Sequence, residues 1–441
     1  MARRPARVRL AAALAALAAP ALGALLAGCE AVGYYAQSIS GHLGVMAQAT
    51  PLSDAIAYAN GSNDKRLADR LALAGRMRDF ASRELALPDN GSYRHYANLH
   101  RPYVVWSVFA TPELSMELHK WCFLVVGCIN YRGYYAIEDA HRYAAGLRSQ
   151  GLETYVAGVP AYSTLGYFDD PLLNTFVYLP EGELARMIFH ELAHQVVYVR
   201  NDTTFNESFA SAVEIAGVER WLAREASADA RASYRQYDGR RRQFRAMLLQ
   251  TRAELDALYR KPIDDEAKRA GKAAIFAALR QRYAALKESW GGYSGYDRWF
   301  SQPLTNAHLA AVATYQQWVP AFLALLEQCG GDWKAFYAEA ARIGKLKPEQ
   351  RNARLRALAP NEPTIAAATV NAATGNTAVH NTAVHHAAAG NAAVDNAVAG
   401  NAAVDNAATG NAASGNAATG NAATAHGAAG NGATIAEPGG S

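Results

Sequence analysis

Three features of this 441-residue chain predict an α+β fold that is mostly helical. Short β-branched and aromatic runs are confined to the part before Pro180, and long stretches with a 3.6-residue apolar period follow it. With 51% hydrophobic and 10% aromatic residues, the chain can bury a sizeable core. Collagen, rod and wholly disordered classes are excluded on that composition.

The elements follow in order. Residues 30–62 keep Tyr34, Tyr35, Leu43, Val45 and Met46 and read as an ordered lead-in. Over residues 64–87, Leu67, Leu71, Ala74, Arg78 and Phe80 follow a helical period that Pro88-Asp89-Asn90-Gly91 ends. Tyr103–Phe109 reads as a strand stopped by Thr111-Pro112. Glu138–Gln150 is an amphipathic helix with Gly151 beyond it, and Thr154–Ala157 is the next strand. Asn174–Leu179 reads as a last short strand before Pro180, and helices are expected near 181–199, 206–223, 225–260, 265–290, 306–327 and 331–343.

Both termini differ from this body. MARRPARVRL followed by an Ala- and Leu-rich run reads as an export signal over residues 1–28. Leu26-Ala27-Gly28-Cys29 resembles the bacterial lipobox, in which the Cys thiol is diacylated and becomes the first mature residue. Several acyl chains hold a protein firmly on a membrane. Glu30, rather than Asp, follows Cys29, which favours an outer-membrane anchor facing the periplasm. Residues 364–441 lack aromatics, Lys and Arg, repeat Gly-Asn-Ala-Ala-Val-like units, and place Ala where a pentapeptide solenoid would need an interior Leu. They read as a disordered low-complexity tail, in which His380, His385, His386 and His426 are solvated. The body is therefore 29–363.

The formal charge of +4 divides unevenly between four N-terminal Arg without an acid, a body of +3, and a tail with three acids and no base. No clustered basic surface is implied, so nucleic acid is not an expected partner. Besides Cys29 there are three cysteines. An oxidising periplasm would permit a Cys122–Cys128 bridge across a turn at Gly127, with Cys329 left as a buried free thiol. No spacing suits a Cys-based zinc site, and no signal sets the oligomeric state.

Chemistry concentrates in Pro180-Glu-Gly-Glu-Leu-Ala-Arg-Met-Ile-Phe-His190-Glu191-Leu-Ala-His194. Two histidines four apart on a helix lie on one face, so both can hold a single zinc ion. Glu191 then stands where it can take a proton from a water. Ile188, Phe189, Leu192 and Val196 would bury that helix. Twelve residues separate His194 from Glu207, on a second helix that Asn206 would cap. Glu207 is the expected third ligand. Glu214, on nearly the same face, is the alternative ligand or a carboxylate that orients a ligand His.

His-Glu-x-x-His followed by Asn-Glu-x-x-Ala on the next helix resembles the gluzincin class of zinc peptidases, though those families carry a longer insertion. The chain is more similar to a bacterial lipoprotein family catalogued as aminopeptidases. The likeness extends over Trp121–Cys128, Tyr131–Tyr135, Val159–Leu173, the zinc helix and Asn306–Tyr315, about residues 28–345. It implies an exported peptidase with one zinc ion per chain, held by His190, His194 and Glu207, that hydrolyses peptide or protein substrates. Glu191 would be the general base. Tyr162, Tyr167, His308 and Tyr315 are oxyanion candidates. Asp169, Asp170 and Glu181 are candidates for the anion that meets a substrate α-ammonium, and Asn174–Leu179 or Thr154–Ala157 for a strand that holds substrate backbone beside the zinc helix. The rival reading is a lipid-anchored envelope binding or assembly module on the same scaffold.

Overall fold

The computed structural model describes residues 32–123, 127–313 and 317–359. Residues 1–28, expected to be an export signal, together with Cys29, Tyr315 and the 364–441 repeats, lie outside the described residues. The body is α+β, mostly helical, with small sheets. Its first part contains helices α1 (residues 32–46), α2 (Leu52–Gly61), α3 (Lys65–Leu85) and α4 (Ile137–Ser149). Among them run strands β1 (Thr50–Pro51), β2 (His95–Ala97), β3 (Val105–Pro112), β4 (Trp121–Phe123), β5 (Gly127–Ile129), β6 (Arg132–Tyr134), β7 (Leu152–Val159) and β8 (Leu172–Leu173). Helices α5 (Glu181–Ala193), α6 (Thr203–Arg224), α7 (Ala228–Tyr259), α8 (Asp265–Ser289) and α9 (Asp297–Phe300) follow. The described part closes with α10 (Asn306–Ala313), α11 (Val319–Gln328), α12 (Trp333–Gly344) and α13 (Pro348–Leu358).

One sheet orders β1-β2-β8, the second β6-β3-β7, and β4-β5 is a hairpin. The β1-β2-β8 sheet shares the largest core with α3, α5, α6, α11, α12 and α13: Tyr96, Leu172, Ile188, Phe209 and Phe336 all lie in it. The β3–β7 pair packs one face on α10 and the α7–α8 pair, and the other on α4. No described helix is long and apolar enough to cross a membrane.

Several sequence expectations change. Asn174–Leu179 is not a strand but a series of tight turns. Phe176 and Val177 N–H both bond back to the Leu173 carbonyl, and Asn174 bridges Leu99 N–H and the Arg101 carbonyl. The apolar run thus serves a buried loop, because Phe176, Val177 and Leu179 all enter the core. Nor does Thr154–Ala157 run along α5: its strand β7 lies against α4 and α10, while α5 packs chiefly on α6, α3 and α7. Neither segment is the strand expected beside the zinc helix.

The 181–199 helix stops at Ala193 and the 206–223 helix starts at Thr203. Asp202, not Asn206, caps α6 by accepting from Phe205 N–H at 3.0 Å. Asn206 instead hooks the loop, accepting from Val199 N–H at 2.6 Å and donating to its carbonyl at 2.8 Å. Both chain reversals satisfy polar groups that a longer helix would have paired. The expected 306–327 helix is α10 and α11, and Cys329 is a half-buried free thiol rather than a fully buried one.

Candidate metal centre

Helix α5 starts behind Pro180, carries Glu181 and Glu183 in its first turn, and is buried on every side. Its close partner is α6. Gly217 permits the approach, since a Cβ there would sit 2.8 Å from Leu85 Cδ1 and 3.0 Å from Phe189 Cδ2. The Asn206 hook and the Asp202 cap fix the return loop, so α6 presents Glu207 and Glu214 to the face of α5 that carries both histidines.

His190 Nε2 and His194 Nε2 are 3.0 Å apart. Glu207 brings Oε2 to 3.4 Å from the first and Oε1 to 3.7 Å from the second. One ligand atom from each of His190, His194 and Glu207 falls within 4.8 Å of the others. His190 Nδ1 is 2.8 Å from Glu214 Oε2. An ionised carboxylate only accepts, so Nδ1 carries a proton and Nε2 is the nitrogen aimed at the other ligands. Glu207 Oε2 is buried without a hydrogen bond of its own. Two imidazole nitrogens and a carboxylate, converging with an unpaired buried oxygen, fit a zinc ion that keeps one position open.

A buried ion chain continues behind the centre. Glu214 Oε1 accepts from Arg186 Nε at 2.8 Å, and Arg186 Nη1 reaches Glu183 Oε2 at 3.3 Å. Arg241 Nη1 donates to both Glu183 oxygens at 3.3 and 3.2 Å and its Nη2 meets Asp238. Such groups are retained only when each is paired, because an unpaired buried charge is costly.

With the chain's own charges alone, burial would pull His190 down, but Glu207 and Glu214 hold it at about 10. Burial takes His194 down to about 4 and pushes Glu191 up to about 8. Burial would raise Glu207, yet His194 and His190 keep it below the ordinary carboxylate range. Metal binding would replace the proton that His190 Nε2 then carries.

The remaining candidates scatter. Tyr162 is half-buried, and its hydroxyl pairs with His42 Nδ1 at 2.7 Å. Tyr167 is 77% exposed on a loop. His308 packs in the β3–β7 core, its ring 4.1 Å from Tyr155 and its Nδ1 bonded to Thr305. Glu181 accepts from Trp221 Nε1 at 3.0 Å. Asp170 is buried: its Oδ2 accepts from Thr164 N–H and Oγ at 2.8 and 3.0 Å, and Oδ1 has no hydrogen bond. Cys122 and Cys128 are bridged across the β4–β5 register.

Sequence reasoning missed Tyr131 and Tyr93. Burial raises the Tyr131 hydroxyl first, then Glu207, with Glu191 also bearing on it. Tyr131 follows the bridged hairpin, whose Cys128 N–H donates to Asn201 Oδ1 at 3.0 Å in the loop between the ligands. Tyr93 has φ +61°, a buried hydroxyl without a hydrogen bond, and Glu191 and Asp170 nearby. Tyr131 stood in the Tyr131–Tyr135 segment. Nothing in the sequence marked Tyr93.

Two histidines four apart, one on the last turn of α5 and one at its C-cap, with a carboxylate from the following helix, are consistent with a zincin-type centre. The chain belongs to the family described as Putative aminopeptidase, whose family model matches residues 33–355. No curated protein and no solved structure matches it.

Proposed function

We propose that the protein is a zinc-dependent aminopeptidase of the bacterial cell envelope. The observation that carries this is the convergence of His190, His194 and Glu207 with buried Glu191 as their neighbour. A zinc ion held by those three residues would polarise a scissile carbonyl and lower the pKa of its water to about 7.

The chain's own groups do the rest. Glu191, buried and next in sequence to the ligand His190, would take a proton from the attacking water once the metal's charge keeps it ionised, and pass it to the leaving amine. Tyr131, whose burial keeps it protonated, is a neutral donor close enough to feel the charges of Glu207 and Glu191, and is our candidate for the developing oxyanion. Asp170, with a buried unbonded Oδ1, is the best placed of the three acids to meet a substrate α-ammonium.

The lipobox-like Leu26–Cys29 segment supports an acyl anchor in the outer membrane, facing the periplasm. The bridged Cys122–Cys128 pair suits that oxidising compartment.

Elemental mass spectrometry of the native chain and a His194→Ala variant tests the centre. One zinc per chain, lost in the variant, is expected. Peptides with a free N-terminus should be cleaved and their N-acetylated counterparts spared. No zinc after reconstitution would overturn the reading, and equal cleavage of both peptides would remove the exopeptidase part.

A further inference from the structure

Helix α1 carries apolar residues on two sides, whereas a surface helix ordinarily points them inward only. Towards the body, Tyr34 packs on Phe123 and Tyr134, Val45 enters the main core, and two polar side chains add hydrogen bonds. Gln37 donates to the Gly133 carbonyl at 3.3 Å and accepts from Tyr135 N–H at 3.3 Å, and His42 meets Tyr162 at 2.7 Å. Its outward stripe is Val32, Ala36, Ile39 and Leu43, at one-turn spacing. Val32, Ile39 and Leu43 are 69%, 60% and 56% exposed. No Asp, Glu, Lys or Arg occurs between Glu30 and Asp54.

A second pair of exposed apolar side chains lies close to α1. Phe168, itself exposed, lies 4.5 Å from the His42 ring, and Tyr167 beside it is more exposed still. Their loop touches the residue that follows His194. A Cβ on Gly166 would lie 3.4 Å from Oε1 of Gln195, the residue after His194.

We propose that this stripe lies on a lipid bilayer and sets the mouth of the metal centre at its surface, where it meets membrane-proximal peptides. The inference rests on reading Cys29 as acylated. Val32 is three residues from Cys29, about 10 Å of extended chain, so acyl chains entering the bilayer hold α1 against it. Apolar side chains then enter the headgroup boundary. The lack of charge fits a neutral, zwitterionic surface and predicts binding that salt leaves unchanged.

The test uses the mature chain, residues 29–441, with Cys29→Ser, which removes the acyl anchor and leaves out the apolar signal. Flotation with zwitterionic vesicles of phosphatidylethanolamine and phosphatidylcholine reads the surface itself. The parent should co-float at low and high salt. Ile39→Glu with Leu43→Glu should cut the vesicle-bound fraction at least about tenfold, because charge replaces apolar area in the interface. Phe168→Glu should weaken binding, and Ile263→Glu, at the α7–α8 turn, should not. These side chains are exposed, so an unchanged Tm will show that the variants fold. A parent that does not float, or a double variant that floats equally, overturns the proposal. So does a parent that sediments as a dimer, does not float, and becomes monomeric in the double variant, since the stripe then joins two copies. Intact mass of the native chain tests acylation separately, so either reading can fail without the other.

Discussion

Glu214 Oε2 lies 2.8 Å from His190 Nδ1, and both side chains are 1% exposed. That bond sets which nitrogen of His190 is free to ligate, and Arg186 in turn holds Glu214 in place. The centre is therefore oriented by groups that never touch a metal.

Glu214→Gln should lower zinc affinity about 10- to 100-fold, read by competition with a chelator. The amide keeps the shape but can present N–H where the carboxylate accepted. Unchanged affinity would show that the loop and α6 orient His190 without Glu214.

Arg186→Met leaves Glu183 and Glu214 buried with one fewer cation. Breaking a buried ion pair costs about 3–5 kcal/mol, so denaturant unfolding should show a loss of that order. Adding Glu214→Gln should restore part of it, because one of the stranded charges is gone.

Glu191→Gln should retain one zinc per chain and lose about 10²- to 10⁴-fold in hydrolysis, the usual contribution of a general base. Thermal stability at neutral pH should hold or rise, since an amide replaces a carboxyl whose ionised form burial disfavours. Surviving hydrolysis would remove Glu191 from its role.

Asp170 gives the pH prediction. Burial raises its carboxyl to about 6, despite the opposing Thr164 hydrogen bonds. A raised acid favours the protonated folded state. Its stabilising contribution is complete below the unfolded value near 3.8 and is lost as pH climbs through 6. Asp170→Asn, whose amide oxygen can still accept from Thr164, should remove that decline. Melting curves from pH 4 to 8 should show the variant gaining on the native chain between about pH 4 and 6 and keeping that gain at higher pH. Parallel curves would mean that Asp170 titrates normally.

Tyr131→Phe should cut kcat by about 10²- to 10³-fold with little change in KM, the signature of a lost oxyanion donor. Tyr162→Phe should not, because His42 already engages that hydroxyl. The reverse pattern would return the role to Tyr162.

The sequence by itself determined what repeats along one element. Helical spacing put His190 and His194 on one face with Glu191 between them, and the 3.6-residue period marked most helices to within a few residues. Glu207 and Glu214 were legible for the same reason, seven apart on one helix. The family match over residues 33–355 covers nearly the span, 28–345, over which the resemblance was read.

Only the tertiary structure decided what depends on residues distant in sequence. Asn206 reads as a cap until its partners at Val199 are seen, and Asn174–Leu179 reads as a strand until the core receives its side chains. Tyr131, after a bridged hairpin, and Asp170, on a loop, bear electrostatically on the carboxylates of α5 and α6 from distant parts of the sequence, and the exposed stripe of α1 is visible only once the body shows which side it covers. Local periodicity records which face is apolar. Which face is buried, and against what, is a property of packing between segments, and no single stretch of sequence contains it.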